Sequence, residues 1–209
     1  MKSPTTMEAL EKLGRVRLSP NFFMREFLYS EIANLHGMPN IPEDPDLALA
    51  AGTQFCEQLL EPLNAAFGRI HVRSAYRSPT VNAFGNANGF SCASNARSAA
   101  NHIWDLRDSE GRMGATASIV IPWFSDRLEA GQSIDWREMA WWIHDHLPYH
   151  SMYFFPIRAA FNITWREQGE KRIDSYVAPK GTLTKPGMDN HGGSHAEHYA
   201  DWPGLPLSR

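Results

Sequence analysis

An arginine on a tight turn, a His-Asp pair and two histidine clusters are the parts of this chain whose types and spacing could do chemistry. In Arg73-Ser-Ala-Tyr-Arg-Ser-Pro-Thr-Val-Asn82 the candidate ligand-binding residues are Tyr76, Arg77, Ser78 and Asn82. Arg77 carries a rigid fork of hydrogen-bond donors. The competing reading is that Tyr76, Arg77 and Asn82 only fold the turn. His102 and Asp105 stand three apart on a segment that reads as a strand, so their side chains point to opposite faces and do not converge on one ion. His144 and His146 diverge by about 200° around a helix, which suits solvated or capping roles for them and for His150 better than a shared metal. His191-Gly-Gly-Ser-His-Ala-Glu-His198 has better metal spacing, but its glycine-rich surroundings offer no packed element to preorganise it. No two carboxylates can be placed across a cleft, as a glycan hydrolase requires.

The elements that must position these residues read as one α+β domain of 209 residues, with 43% hydrophobic and 21% charged composition. Twenty basic against 23 acidic residues leave a net charge of -3, without the basic footprint that nucleic-acid binding needs. No window reaches eighteen apolar residues and residues 1–17 are polar, so neither a membrane span nor a secretory signal is expected, and synthesis in the cytoplasm is. Cys56 reads as a small core residue and Cys92 as a loop residue, with no disulfide framework or thiol metal site. Residues 1–17 read as an N-terminal arm, mobile or docked on a partner. Helices are expected from Ser19-Pro20 to His36-Gly37, from Asp44-Pro45 to Gly68, and over 135–147. Strands are expected at 70–75, 102–107, 115–121, 152–155 and 160–165, with a hairpin-type turn at 108–111 and a loop-rich stretch at 82–101. The core domain then spans 18–177. Residues 178–209 read as an extended arm, with Tyr199, Trp202, Leu205 and Leu207 as anchors on a partner. Trp123, Trp136 and Trp202, near loops, could cover a sugar or a partner surface.

The segment from Arg73 to Asn82 resembles the S-G-Y-R-S-P-x-x-N signature of the M15 peptidases, the D-Ala-D-Ala carboxypeptidase and cell-wall endopeptidase family. The lead-in Leu18-Ser-Pro-Asn-Phe-Phe-Met-Arg-Glu-Phe-Leu-Tyr-Ser30 and Leu59-Leu-Glu-Pro-Leu63 are similar to it in order and spacing, so the resemblance covers roughly residues 18 to 165. It implies an M15-type fold, an antiparallel sheet flanked by helices, and a zinc held by two histidines and an aspartate with a glutamate as base. It also implies that Arg77 orients substrate. Aligning Gly114-Ala-Thr-Ala-Ser-Ile-Val-Ile121 puts Ser118 at the aspartate position, Tyr149–Pro156 puts Phe155 at the base, and Ala160–Trp165 puts Asn162 at the second histidine. Only His102 remains as a metal candidate, and it precedes Gly114 by twelve residues where the family has three, which suggests an inserted hairpin. The resulting expectation is a catalytically degenerate M15-like binding or structural module with no catalytic residue and no cofactor. Its place would be a phage-like or gene-transfer-type particle meeting the bacterial envelope. Its partners would be assembly proteins or copies of itself, and peptidoglycan or a surface glycan. The alternative is an active zinc-dependent peptidoglycan peptidase with a metal site rebuilt from His102, Asp105 and the histidines at 144–150.

Overall fold

The computed structural model describes residues 1–157 and 159–204, which leaves Leu205 and Leu207 outside the described residues. Thr6 opens α1 (Met7–Gly14) by accepting a hydrogen bond from the Ala9 amide at 3.1 Å, and Leu13 at its end is fully buried. Ser3 Oγ also donates to the Pro42 carbonyl at 2.7 Å, so the first residues lie against the domain. Where one helix is expected from Ser19 to His36, the chain forms β1 (Arg17–Ser19), β2 (Phe22–Phe23), a 3-10 turn (Met24–Phe27) and α2 (Glu31–Leu35). The reason is a distant carboxylate. Ser19 Oγ and the Asn21 amide each donate to Glu61 at 2.7 Å, which holds the chain in an extended turn while Phe22, Met24 and Phe27 turn inward.

The long helix is present as expected, in three parts: α3 (Pro45–Phe55), a π turn (Cys56–Leu60) and α4 (Glu61–Phe67). Asp44 caps it by accepting from the Leu47 amide at 3.1 Å, Pro45 occupies the first turn, and Gly68 ends it at φ 78°. Pro62 explains the wide turn, because its ring would clash with the carbonyl four residues back and has no N–H to give it.

Next come β3 (His71–Ser74), α5 (Pro79–Ala87) and α6 (Asn95–Ser98), so much of the expected loop at 82–101 is helical. Residues 102–107, expected as a strand, are a chain of turns. The Ala100 amide is turned back to the Leu106 carbonyl at 2.8 Å, and the Ile103 amide to the Ser98 carbonyl at 3.0 Å. This bend drives Ile103 and Trp104 into the core. There follow β4 (Gly114–Val120), α7 (Pro122–Glu129), α8 (Trp136–His146), β5 (Ser151–Phe154), β6 (Phe161–Arg166), β7 (Arg172–Ser175) and β8 (Gly181–Thr184).

Six strands make one sheet in the order β3-β4-β6-β5-β7-β8, beside the small β1-β2 pair. The architecture is therefore α+β, but the expected antiparallel sheet is corrected to a mixed one, since β5 and β7 run parallel. Both edges of β6 are already taken by β4 and β5. The chain leaves β6 beside the start of β5, so the edge nearest to its next strand is the outer edge of β5, which it takes in the same direction. One face of the sheet is apolar: Ala115, Ala117, Ile119, Met152, Phe154, Phe161, Ile163 and Trp165 are buried, with α3 packed on β4 and β6. Gly114 starts β4 because nothing larger fits: a Cβ there would lie 2.3 Å from the Ala100 carbonyl oxygen.

Residues 178–204 of the expected arm are not a separate extended segment. β8 pairs antiparallel with β7, and beyond it the chain returns along α8. Trp202 sits against Phe67, Trp123 and Phe124 at 6.0, 5.1 and 5.6 Å between ring centroids. The aromatic residues that looked like anchors for a partner complete this domain's own packing, and their separation from the core in sequence is what hid it.

Candidate functional site

The outer face of the sheet is polar, because a strand's side chains alternate between its faces. Thr116 and Ser118 on β4 stand opposite Thr164 and Asn162 on β6, with Ser151 and Tyr153 on β5 and Arg172 and Asp174 on β7 continuing the row. The Thr116 and Thr164 hydroxyls bond each other at 2.8 Å. Two irregular segments wall this face: the turn after β3, which carries Arg77, and the stretch from α6 to the bend, which carries Arg97, Asn101 and His102. Together they form a cleft of about 400 Å³. A larger groove of about 800 Å³ between α1 and α2 mixes apolar side chains with Glu8, Glu11, Arg25 and Asn34 and holds neither a histidine nor a group of arginines.

His102 Nδ1 lies 2.7 Å from the Ala75 carbonyl oxygen, which can only accept, so Nδ1 donates and the neutral ring keeps its lone pair on Nε2. Burial, and then the Arg77 charge, lowers its pKa to about 3. His150 on the opposite wall is also pushed down, by burial and by Arg166. Arg166 pairs with Asp108 at 3.5 Å, and Arg172 grips Asp174 through two contacts of 2.6 and 3.0 Å. Among the described residues Arg77 and Arg97 have no carboxylate within ion-pair reach. Arg77 Nη1 rests on Cys92 Sγ, while Arg77 Nε and His150 Nδ1 are buried without a hydrogen-bond partner. Four arginines against Glu170, Asp174 and the Asp108 carboxylate paired with Arg166 leave the cleft one excess positive charge on a chain of net charge -3. The arrangement suits an anionic group.

Of the four residues named from the signature, only Arg77 faces this cleft. Tyr76 is fully buried and donates to Asp105 Oδ2 at 3.1 Å. Ser78 caps α5 by accepting from the Val81 amide at 3.3 Å, and Asn82 ties Ala93 and Asn95 to that helix at 2.9 Å. These three build the turn that holds Arg77. Asp105 also accepts from the Glu43 amide at 2.7 Å, inside the fold, and so does not join His102. The histidines at 144–150 separate: His144 is buried between the Tyr149 hydroxyl and the His191 carbonyl, His146 stacks on Trp142, and His150 alone reaches the cleft. The later cluster divides as well. His195 binds Asp145 at 2.7 Å and stacks on Trp141 at 4.0 Å, whereas His191 and His198 reach other partners. Arg97, Arg166, Arg172 and Asp174 were missed as site residues. The period-two polar rows on β6 and β7 were the signal for the last three, once the strands' order is known; Arg97, on α6, carried no such signal.

Ser118 and Asn162 face each other across paired strands, and Asn162 lines the cleft with His102. Phe155 does not line it and stacks instead on Tyr153 and Tyr176. A hydroxyl, an amide and one histidine are a poor donor set for a catalytic zinc, and no three His, Cys, Asp or Glu side chains converge among the described residues. The residues present do not fit that metal. No family model, no curated protein and no solved structure matches this chain. Among the described residues no helix is long and apolar enough to cross a membrane.

The depressed histidines make stability depend on pH in a definite direction. His102, His144 and His150 all have folded pKa values below the ordinary 6.5, so on acidification the unfolded chain takes up protons first. Their contribution is complete above pH 6.5 and is lost as pH falls toward 3, the value for His102. Asp145 and Asp174, also depressed, add the same sign at lower pH, while Asp105, raised by burial, opposes it. Urea unfolding midpoints are expected to fall steadily from pH 7 to pH 5, the unfolding free energy dropping by up to about 1.4 kcal/mol per pH unit for each proton. The fall should be shallower in His102→Gln. Midpoints that stay level across that range would refute the neutral cleft histidines.

Proposed function

We propose that this chain is a catalytically silent M15-like module that binds an anionic, carboxylate-ended ligand of the bacterial cell envelope, the stem peptide of peptidoglycan. We further propose that it does so as part of a phage-like or gene-transfer-type particle. The observation that carries the binding role is Arg77. It stands in the cleft, in the middle of the segment that resembles the peptidase signature, its Nε buried without a partner, in the same cleft as a neutral His102 and His150. A buried donor left unsatisfied is costly, and an incoming carboxylate would satisfy it. The silent chemistry rests on Ser118, Asn162 and Phe155 at the aligned positions, since amide hydrolysis by this scheme needs a polarising metal and a base. The particle and the envelope ligand rest on the resemblance alone.

The test is calorimetric titration with an N-acylated tripeptide ending in D-alanyl-D-alanine, with cleavage followed in parallel. Binding without cleavage is expected, weakened at least about tenfold in Arg77→Ala, because a charged hydrogen bond to a buried donor is lost. Chelator-sensitive cleavage, or no difference between Arg77→Ala and the parent, would defeat the proposal.

A further inference from the structure

At the end of the cleft away from Arg77 the polar sheet face becomes aromatic. Tyr153 on β5, Phe155 just after it and Tyr176 just after β7 touch one another, with ring centroids 5.9, 4.5 and 6.2 Å apart and ring planes within 26 to 43°. Tyr176 is 54% exposed, and the neighbouring Ile157 is 67% exposed. Tyr153 also lines the cleft, so platform and cleft form one continuous surface. At the rim, Arg172 and Asp174 hold the Thr182 hydroxyl at 3.2 and 2.6 Å, which places polar groups beside the rings.

Three rings in mutual contact, Tyr176 exposed and Tyr153 and Phe155 half-buried, are an unusual use of a strand face. We infer that Tyr153, Phe155 and Tyr176 form a saccharide platform, on which the C–H face of a sugar ring stacks while an acidic group attached to that glycan lies in the arginine cleft. The continuity through Tyr153 argues for one ligand spanning both surfaces. Charge complementarity argues that its far end is anionic, since Arg77 and Arg97 lack carboxylate partners among the described residues. The amphipathic faces of the rings match the sugar end: flat apolar surface for C–H groups, polar rim for hydroxyls. A polyanionic strand fits poorly, because Glu170 and Asp174 lie in the same cleft and the whole chain is acidic. The inference rests on the envelope-binding reading, but it concerns separate residues and a separate part of the ligand.

The experiment uses the full chain and two probes, peptidoglycan glycan strands freed of their peptides and the D-alanyl-D-alanine tripeptide. Tyr176→Ala is expected to weaken glycan-strand binding about tenfold, the scale of one lost aromatic stacking contact, and to leave tripeptide binding intact. Tyr176→Phe should retain glycan binding, because stacking does not need the hydroxyl. Arg77→Ala should show the opposite pattern, losing the tripeptide and keeping the bare glycan. Tripeptide binding that depends on Arg77, together with glycan binding absent or indifferent to Tyr176, would overturn the platform and leave the cleft reading standing. Glycan binding that depends on Tyr176 with no tripeptide binding would do the reverse. A dimer in sedimentation that Tyr176→Ala dissociates, without glycan binding, would show the rings to be a self-contact and overturn the inference. Preferential binding of a single-stranded oligonucleotide through the same rings would overturn it too.

Discussion

A chain truncated after Ala178 unfolds far more easily than the full-length protein, or fails to fold. The deletion removes β8 and leaves β7 as a bare edge. It uncovers Phe67, Trp123 and Phe124, against which Trp202 packs. It also breaks a polar network at the end of α8: Asp145 loses the His195 amide and ring at 2.6 and 2.7 Å and the Tyr199 hydroxyl at 2.7 Å, and His144 loses its acceptor on His191. Stranding buried polar groups and removing a large aromatic contact together cost on the order of 5 kcal/mol, comparable with the whole stability of a small domain. Thermal and urea unfolding of the truncated and full chains measure this directly. An unchanged midpoint would mean that the packing of residues 179–204 on the domain adds nothing.

Trp104→Ala is expected to destabilise the fold by about 3–5 kcal/mol, the range for deleting a buried aromatic side chain. Its indole is fully buried, 5.2 Å from the ring of Phe27, 5.8 Å from Phe55 and 6.3 Å from Tyr76. Its Nε1 donates to the Thr116 carbonyl at 3.1 Å, directly beneath the cleft, so the substitution leaves a cavity and takes a donor from a buried acceptor. Gly52 shows how closely the site is filled, since a Cβ there would come within 2.9 Å of the indole. Because Trp104 and His102 ride on the same bend, ligand affinity in the cleft should fall along with the urea midpoint. A loss of less than about 1 kcal/mol would mean that the surrounding rings collapse into the space and that Trp104 does not anchor the wall.

Much of the scaffold was legible along the chain because local signals agree with the final packing. The long helix carries its own start and stop at Asp44-Pro45 and Gly68, and the strands near 71, 115, 152 and 161 carry period-two patterns that the sheet uses. Misreadings fell where a distant group overrode the local pattern. Glu61 holds Ser19 and Asn21 out of a helix, and the turned-back amides of Ala100 and Ile103 convert an alternating run into a bend. The elements at 122–129, 172–175 and 181–184 were not foreseen. The last two are four-residue strands whose reason to be extended is a neighbour's free edge.

By itself the sequence determined an α+β domain with the long helix as its backbone, and placed Arg77 on a turn built by Tyr76, Ser78 and Asn82. Those are matters of residue type and short-range spacing, which the chain carries with it. Only the tertiary structure decided that His102 faces a cleft while Asp105 points inward, and that His150 joins the cleft while His144 is buried. It alone brought Arg97, Arg166 and Arg172 round Arg77, and it folded the C-terminal stretch onto α8. The physical reason is that a side chain's direction in a turn, and the choice of edge on which a strand pairs, are set by contacts between residues far apart in sequence. No window of the chain contains both partners.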